Sequence, residues 1–451
     1  MKKVCMMLVA SLSISFMAGC GNSDSKEERK TKDGKTIVEV STLMDTRFLK
    51  YAEKLYEQKN PNIDIQVQSA YPEGPPKKQM SIKESEILHE KMINKMNTEL
   101  LAGKGSDVIV LDSLPQEKYV KKGLLTDLSE MMEQDKSFDK KQYFNNILDN
   151  SKINGKLYGI PSYFWLSGLL GNDTAIQQSG VKINDKEWTW SEFTSIGKEL
   201  VNKGPLKHVM NGIEPEYMLK LLVQDHYAEL VDKASGKANF QSDLFVQMLE
   251  NVKKMYDEKI ITEDGLPVKE TYFSPMQIMS VKNYFNFGNR LDITGAKTYQ
   301  SPHIAGQKRG IAFTPETTVG INAKSPVKKQ AWDFLKFLIS EEIQKKWCDY
   351  SDDISSRVPS NFPIHKAVYE QQIKALKEKG KIEDPDGDIN VTENDIQELE
   401  KMVAEISVQA SEGTKVESII AEESKSYFSG QKSAKDVAVL IQNRVTTYIN
   451  E

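Results

Sequence analysis

Few residues in this 451-residue chain are spaced for making or breaking bonds. There is no glycine-rich phosphate loop, no G-x-S-x-G elbow and no H-E-x-x-H pair. Five histidines and three cysteines are scattered without any Cys/His metal spacing. Two of the cysteines, Cys5 and Cys20, fall in the first twenty residues, which leaves Cys348 alone in the body of the chain without an internal disulfide partner. The run Asp384-Pro385-Asp386-Gly387-Asp388, with Asp395 at the twelfth position, has the look of a calcium loop. Its glycine is fourth where the loop needs it sixth, and Asp395 stands where a glutamate is expected. Thr392 with Asp395 serves equally as a helix start. Carboxylates are plentiful enough that composition alone leaves an acid–base pair open, but no constellation points to catalysis or to a bound cofactor. What stands out is a surface for contact. Tyr163-Phe164-Trp165 follows Asn154-Gly155, a tight-turn dipeptide, and the short run Lys156–Ile160, expected to be a strand that stops at Pro161. Alternation sends neighbouring rings of a strand to opposite faces. Three adjacent aromatics therefore suit a chain that crosses between two lobes and lays rings along the cleft; an edge strand feeding a core is the competing reading.

The remaining composition bounds the partners. Charged residues make up 28% of the chain with a net charge of only -5, so no polybasic field addresses nucleic acid. Nothing after residue 20 is apolar for long enough to span a bilayer. Before it, Lys2-Lys3 and the apolar stretch Val4–Met17 form a signal peptide closing on Met17-Ala18-Gly19-Cys20. That ending resembles the bacterial lipobox, with methionine in place of the commoner leucine, and makes Cys20 the candidate lipid anchor. Gly21–Lys35 holds no apolar side chain to offset its ordering entropy, and is expected to be a flexible tether with a mean reach on the order of 20 Å.

The elements that must position any site begin at Thr36–Ser41, a β-branched alternating strand. A helix is expected over Arg47–Lys59, a second strand over Ile63–Ser69, a long charged helix ending at Leu101, and a buried strand over Asp107–Asp112. Strand, helix, strand, helix, strand is a doubly wound α/β lobe, in which ligands meet the carboxyl ends of the strands. Those ends are Thr42–Asp45, Ala70-Tyr71 and Asp112-Ser113. Farther on, Thr189 and Glu192 form a capping box stapled by Trp188 and Phe193. Gly310–Phe313 and Thr318–Ala323 read as strand, Ala331–Trp347 as one helix with Trp332, Leu335, Leu338 and Ile339 on one stripe, and Asp349–Glu451 as mainly helical.

NGKLYGIP (154–161) with Gly171-Asn172-Asp173, KGLLTDLS (122–129), and above all GINAKSP (320–326) followed by AWDFLKFL and SEEIQ resemble the extracellular solute-binding proteins of ABC importers. The narrower likeness is to the sugar-binding type typified by maltodextrin-binding protein, and it covers nearly all of the chain. The fold it implies is α/β and periplasmic-binding-protein-like, with two doubly wound lobes on a hinge and a helical C-terminal portion. The implied division is 1–19 signal peptide, 20–35 lipidated tether, 36–158 and 306–345 lobe 1, 159–305 and 346–451 lobe 2. The implied function is capture of a carbohydrate, an oligosaccharide, by hinge closure and its delivery to the transmembrane permease subunits, without enzymatic activity and without a cofactor. The protein would be a monomer, lipid-anchored on the extracytoplasmic face of a bacterial cell membrane. Trp188, Trp190, Trp332 and Trp347 have helix explanations, so Trp165 is left as the stacking residue. Tyr71 and Tyr163 follow from the strand ends and the crossing, and Tyr284 and Phe285 from where the family places a cleft aromatic. Asp45 and Asp112 are candidate hydroxyl partners; packing competes with ligand contact at each of these positions. A ligand-sensing adaptor of a membrane receptor, a receptor for another solute and a secreted glycan hydrolase are the rival readings.

Overall fold

The structure, a computed structural model, describes residues 28–43, 47–70, 82–232, 236–290, 293, 295–303, 311–353, 361–383, 387–410 and 415–450. Strand β1 (Thr36–Thr42), helix α1 (Arg47–Lys59), strand β2 (Ile63–Ser69), helix α2 (Ile82–Leu101) and strand β3 (Val108–Val110) follow the expected order. β1 lies between β2 and β3, parallel to both. Helix α3 (Gln116–Lys121) leaves the carboxyl end of β3. Val38, Val40 and Val108 face α1 in a large apolar core, whereas Ile109 and Leu111 face α2 and α3 in a smaller one. Covering both faces is what a parallel strand requires.

The centre of the sheet differs from expectation. Asn154 and Gly155 do make the tight turn, with φ of 51° and 80°, but no strand covers residues 156–159. Strand β4 starts at Ile160 and runs thirteen residues to Asn172, straight through Pro161. The proline is tolerated because of its register. It lies opposite Thr318, whose N–H goes to Asp112 and whose carbonyl goes to Leu111, so no ladder bond is lost. The next elements are α4 (Trp190–Lys203), α5 (Asp243–Asp257), β5 (Phe273–Ile278), α6 (Val281–Arg290), β6 (Ala296–Tyr299) and β7 (Ile311–Ile321). The sheet order is β6-β4-β7-β3-β1-β2, with β5 also paired to β4. At α4 the expected capping box is present: Glu192 N–H donates to Thr189 Oγ1 at 3.2 Å and Thr189 N–H to Glu192 Oε2 at 2.7 Å. Trp188 and Phe193 meet edge-on at 5.5 Å.

Beyond β7 the single expected helix is two, α7 (Lys328–Leu338) and α8 (Glu341–Asp353). The break falls at Ile339-Ser340, where a serine followed by Glu341-Glu342 favours a new helix start over continuation. Trp332, Leu335 and Leu338 are buried as expected, and so is Cys348. β8 (Phe362–Pro363), α9 (Lys366–Lys379), α10 (Glu393–Ala404) and β9 (Ile406–Gln409) return to the first core, while α11 (Lys415–Phe428) and α12 (Ala434–Asn450) join a second core with α4 and α5. The C-terminal portion thus packs on both cores. Around the suspected calcium loop, Asp395 is committed to capping α10 through Thr392 N (2.9 Å) and Oγ1 (2.7 Å). Asp384–Asp386 lie outside the described residues, and among the described residues no group of three metal-ligating side chains occurs.

The stretch expected to be a tether is partly built into the fold. Residues 31–35 form a turn closed by Thr31 N–H to the Lys35 carbonyl at 2.9 Å. Arg29 spans Asp107 (2.6 Å) and Glu39 (2.7 Å). Asp107 is wholly buried at the amino end of β3 and also accepts from Ser325 Oγ and Glu39 N–H. A polar segment can be ordered by charge where it brings no apolar area, because an unpaired buried carboxylate is costly. Arg29→Ala should lower unfolding stability by about 1–3 kcal/mol, with Arg29→Lys recovering part of it in urea titrations. An unshifted urea midpoint for Arg29→Ala would mean the segment only rests on the lobe.

Candidate functional site: the lobe crossing

The first half of β4 pairs with β7 and β8, and the second half with β5 and β6. Apolar contacts divide less sharply: Leu166 and Phe313 belong to the first core and Leu169 and Phe273 to the second, but Leu170, Met276 and Ile278 also join the first core, which continues across the crossing. β4 is therefore the outward crossing between two α/β lobes, and β7 runs antiparallel beside it. Their ladder is interrupted once. Glu316 pairs with Tyr163 and Thr318 with Pro161, but Ser162 and Thr317 do not pair. Thr317 has a left-handed φ of 50°, a conformation that costs a β-branched residue energy unless neighbours impose it. The neighbour is Asp112. Its two carboxylate oxygens accept the Thr317 and Thr318 N–H groups at 2.8 and 3.0 Å. On the far edge, the Ser162 carbonyl accepts Gln344 Nε2 at 2.6 Å and the Ile364 N–H at 3.1 Å.

Side-chain alternation defines the faces at this crossing. Phe164 and Leu166 point into the first core, Phe164 stacking on Phe362 at 5.4 Å. Tyr163, Trp165 and Ser167 point the other way, with cross-strand neighbours Glu316, Thr314 and Gln277. Tyr163 is covered by α1, 2% exposed and edge-on to Phe48 at 5.0 Å. Trp165 belongs to none of the apolar cores and is partly exposed; Ser167 and Glu316 are partly exposed beside it and Gln277 is open. The result is an indole plate surrounded by a hydroxyl, an amide and a carboxylate.

Of the residues singled out from sequence, Trp165 is at this open face and Tyr163 is packed beneath its edge. Asp112 lies in the turn just past β3, holding the bend of β7. Burial pushes its carboxyl up to about 6, against the pull of the two N–H groups. Tyr284 and Phe285 meet edge-on at 4.9 Å on α6, partly buried against the first core. Burial raises the Tyr284 phenol, with Glu398 and Asp395 adding to the effect. Asp45, Tyr71 and Cys20 lie outside the described residues. Sequence reasoning missed Ser167, Gln277 and Glu316. Each sits in a strand that carries other polar residues as well, so no sequence signal singles it out.

Two α/β lobes joined by paired crossing strands, with an open aromatic-polar face at the crossing, define the class of two-lobed binding proteins. Residues 42–345 match the bacterial extracellular solute-binding protein family, and the chain belongs to that family. It is 22% identical over 377 residues to the multiple sugar-binding protein of Streptococcus mutans serotype c, an alignment covering 77% of this chain and 81% of that one. By structure it is similar to a periplasmic oligogalacturonide binding protein from Yersinia enterocolitica, with TM-score 0.60, 16% identity, and 92% of this chain and 99% of that chain covered. It is also similar to an ABC substrate-binding protein from Listeria monocytogenes in complex with cycloalternan, with TM-score 0.56, 15% identity and coverage of 92% and 99%. Among the described residues no helix is long and apolar enough to cross a membrane.

The raised Asp112 carboxyl gives a signed pH dependence. Its native pKa of about 6 lies above the ordinary carboxylate value. The native state therefore holds more protons than the unfolded chain between about pH 4 and 6, and stability falls as pH rises through that window. Against Asp112→Asn, which does not titrate, wild type should lose on the order of 1–3 kcal/mol between pH 4 and 7. Parallel stability profiles for the two proteins would contradict this assignment.

Proposed function

We propose that this protein is the substrate-binding component of an ABC importer, which captures an oligosaccharide by closing its lobes and delivers it to the permease. Family membership and the sugar-binding relative support the solute class. The observation that carries the reading is the half-open Trp165 on the crossing strand, with Ser167, Gln277 and Glu316 around it. Sugar rings present C–H faces, which a flat indole covers, and hydroxyls, which amide, hydroxyl and carboxylate groups bond. Asp45 and Tyr71, at the carboxyl ends of β1 and β2, are proposed as further contacts from lobe 1. Tyr284 and Phe285 are proposed for the opposite wall. Tyr163, beside Trp165 on the crossing strand, and Asp112, at the bend of β7, are proposed as further candidates. The lobes are proposed to divide near residues 158, 305 and 345. The protein works as a monomeric receptor and performs no turnover.

Trp165→Ala should weaken binding about ten- to a hundredfold, since losing a large buried face is worth roughly 1.5–3 kcal/mol. Its melting temperature should change less than that of Trp332→Ala, where truncation in the core costs about 3–5 kcal/mol. Titration calorimetry with maltotetraose, cycloalternan and an oligogalacturonide, beside thermal melts, tests both statements. Unchanged affinity together with a Trp332-like loss of stability would move the ligand wall to Tyr284 and Phe285.

We also propose that Cys20 carries diacylglycerol and holds the protein on the outer face of the membrane. The apolar run that ends in Met17-Ala18-Gly19-Cys20 supports this. Labelled fatty acid should enter the wild-type protein in a bacterial host and be lost in Cys20→Ala. A wild-type protein that takes up no label refutes the anchor.

A further inference from the structure

Beyond the crossing strands, two polar contacts reach from the helices at the carboxyl ends of the parallel strands to the last two helices, which pack in the second core. Lys118 lies on α3, just past Asp112 at the carboxyl end of β3, and its neighbour Tyr119 is buried in the first lobe's smaller core. Lys118 Nζ donates to the Tyr448 carbonyl at 2.9 Å and sits 4.1 Å from the Tyr448 ring centre. Tyr448 is in the last turn of α12 and packs against the second core. Carbonyls in a last helical turn lack intrahelical donors and carry the negative end of the helix dipole, so a lysine there is matched in both hydrogen bonding and charge. The aromatic ring adds a cation–π contact. Beside it, Lys415 at the start of α11 pairs with Glu90 on α2. Glu90 lies in the amino-terminal half of α2, again on the side of the sheet where the parallel strands end. The two contacts link residues 330 and 325 positions apart, with no chain continuity nearby.

We infer that Lys118 and Tyr448, assisted by Glu90 and Lys415, form a latch across the cleft rim that favours the closed form before any solute contributes. The inference rests on the hinge-closure reading above. A contact present in the closed form alone shifts the open–closed balance, and the apparent solute affinity changes by the same factor up to saturation. The latch therefore sets affinity without touching solute.

Small-angle scattering on the sugar-free protein tests it. Lys118→Met and Tyr448→Ala should have a larger radius of gyration than wild type. Tyr448→Phe, which keeps the ring and the carbonyl, should match wild type. Thermal melts within a degree or two of wild type would show that the expansion is not unfolding. In calorimetry with maltotetraose, cycloalternan and an oligogalacturonide, any sugar that binds should bind Lys118→Met roughly three- to tenfold more weakly. If one of these sugars contracts wild type while the variants scatter and bind like wild type, the latch is overturned and hinge closure stands. If neither sugar nor substitution changes the size of the molecule, latch and hinge closure fall together.

Discussion

The antiparallel ladder between β4 and β7 is the constraint on which the rest of the structure depends. It is the place where the two lobes share a sheet, and its register decides which side chains face the cleft. A slip of one residue would exchange Trp165 with Phe164, sending the indole into the core and a phenylalanine to the open face. The ladder is secured on both edges at its weak point. Asp112 holds the unpaired N–H of Thr317 while Gln344 and Ile364 hold the carbonyl of Ser162, so the backbone groups released by the interruption are satisfied by side chains and a neighbouring strand. An interrupted ladder whose loose ends are independently bonded can bend there without losing hydrogen bonds along its length.

The open face arises from how helices cover the sheet. Over Tyr163 the sheet is roofed by α1 and the rings of Phe48 and Trp347. Two residues on, past the end of that roof, Trp165 is partly exposed. On the reverse face Phe144, Phe313 and Phe362 enclose Phe164 without a break. One strand therefore serves as core on one side and, for a few residues only, as open surface on the other.

Much of this was legible where the determining interactions are local. The capping boxes at Thr189 and Thr392, the Asn154-Gly155 turn and the β-α-β start of lobe 1 are each fixed by residues within a few positions of one another. The same holds for the stripe that buries Trp332. What escaped depends on partners far along the chain. Pro161 is acceptable inside a strand because Thr318 has other bonding partners, and Arg29 is ordered by Asp107, 78 positions away. Laying the rings of the aromatic triplet along a cleft neglects that a central strand is buried on both sides, which puts Phe164 in the core. Ser167, Gln277 and Glu316 were invisible because a lone polar residue in a strand acquires meaning only when its cross-strand neighbours are known.

The Arg29 clasp sits at the amino ends of the parallel strands, and the solute face lies toward their carboxyl ends. With the lipid proposed on Cys20, eight residues (21–28) would separate the anchor from the clasp, a fully extended span of roughly 30 Å. Ordering residues 29–35 removes about half of the leash that the sequence offers. With that anchor the globule would be confined to a thin shell above the bilayer, raising its local concentration at any permease in reach. Because such a leash would enter on the side away from the proposed cleft, the anchored receptor would have to roll on its attachment to bring the rim of its lobes to the transporter.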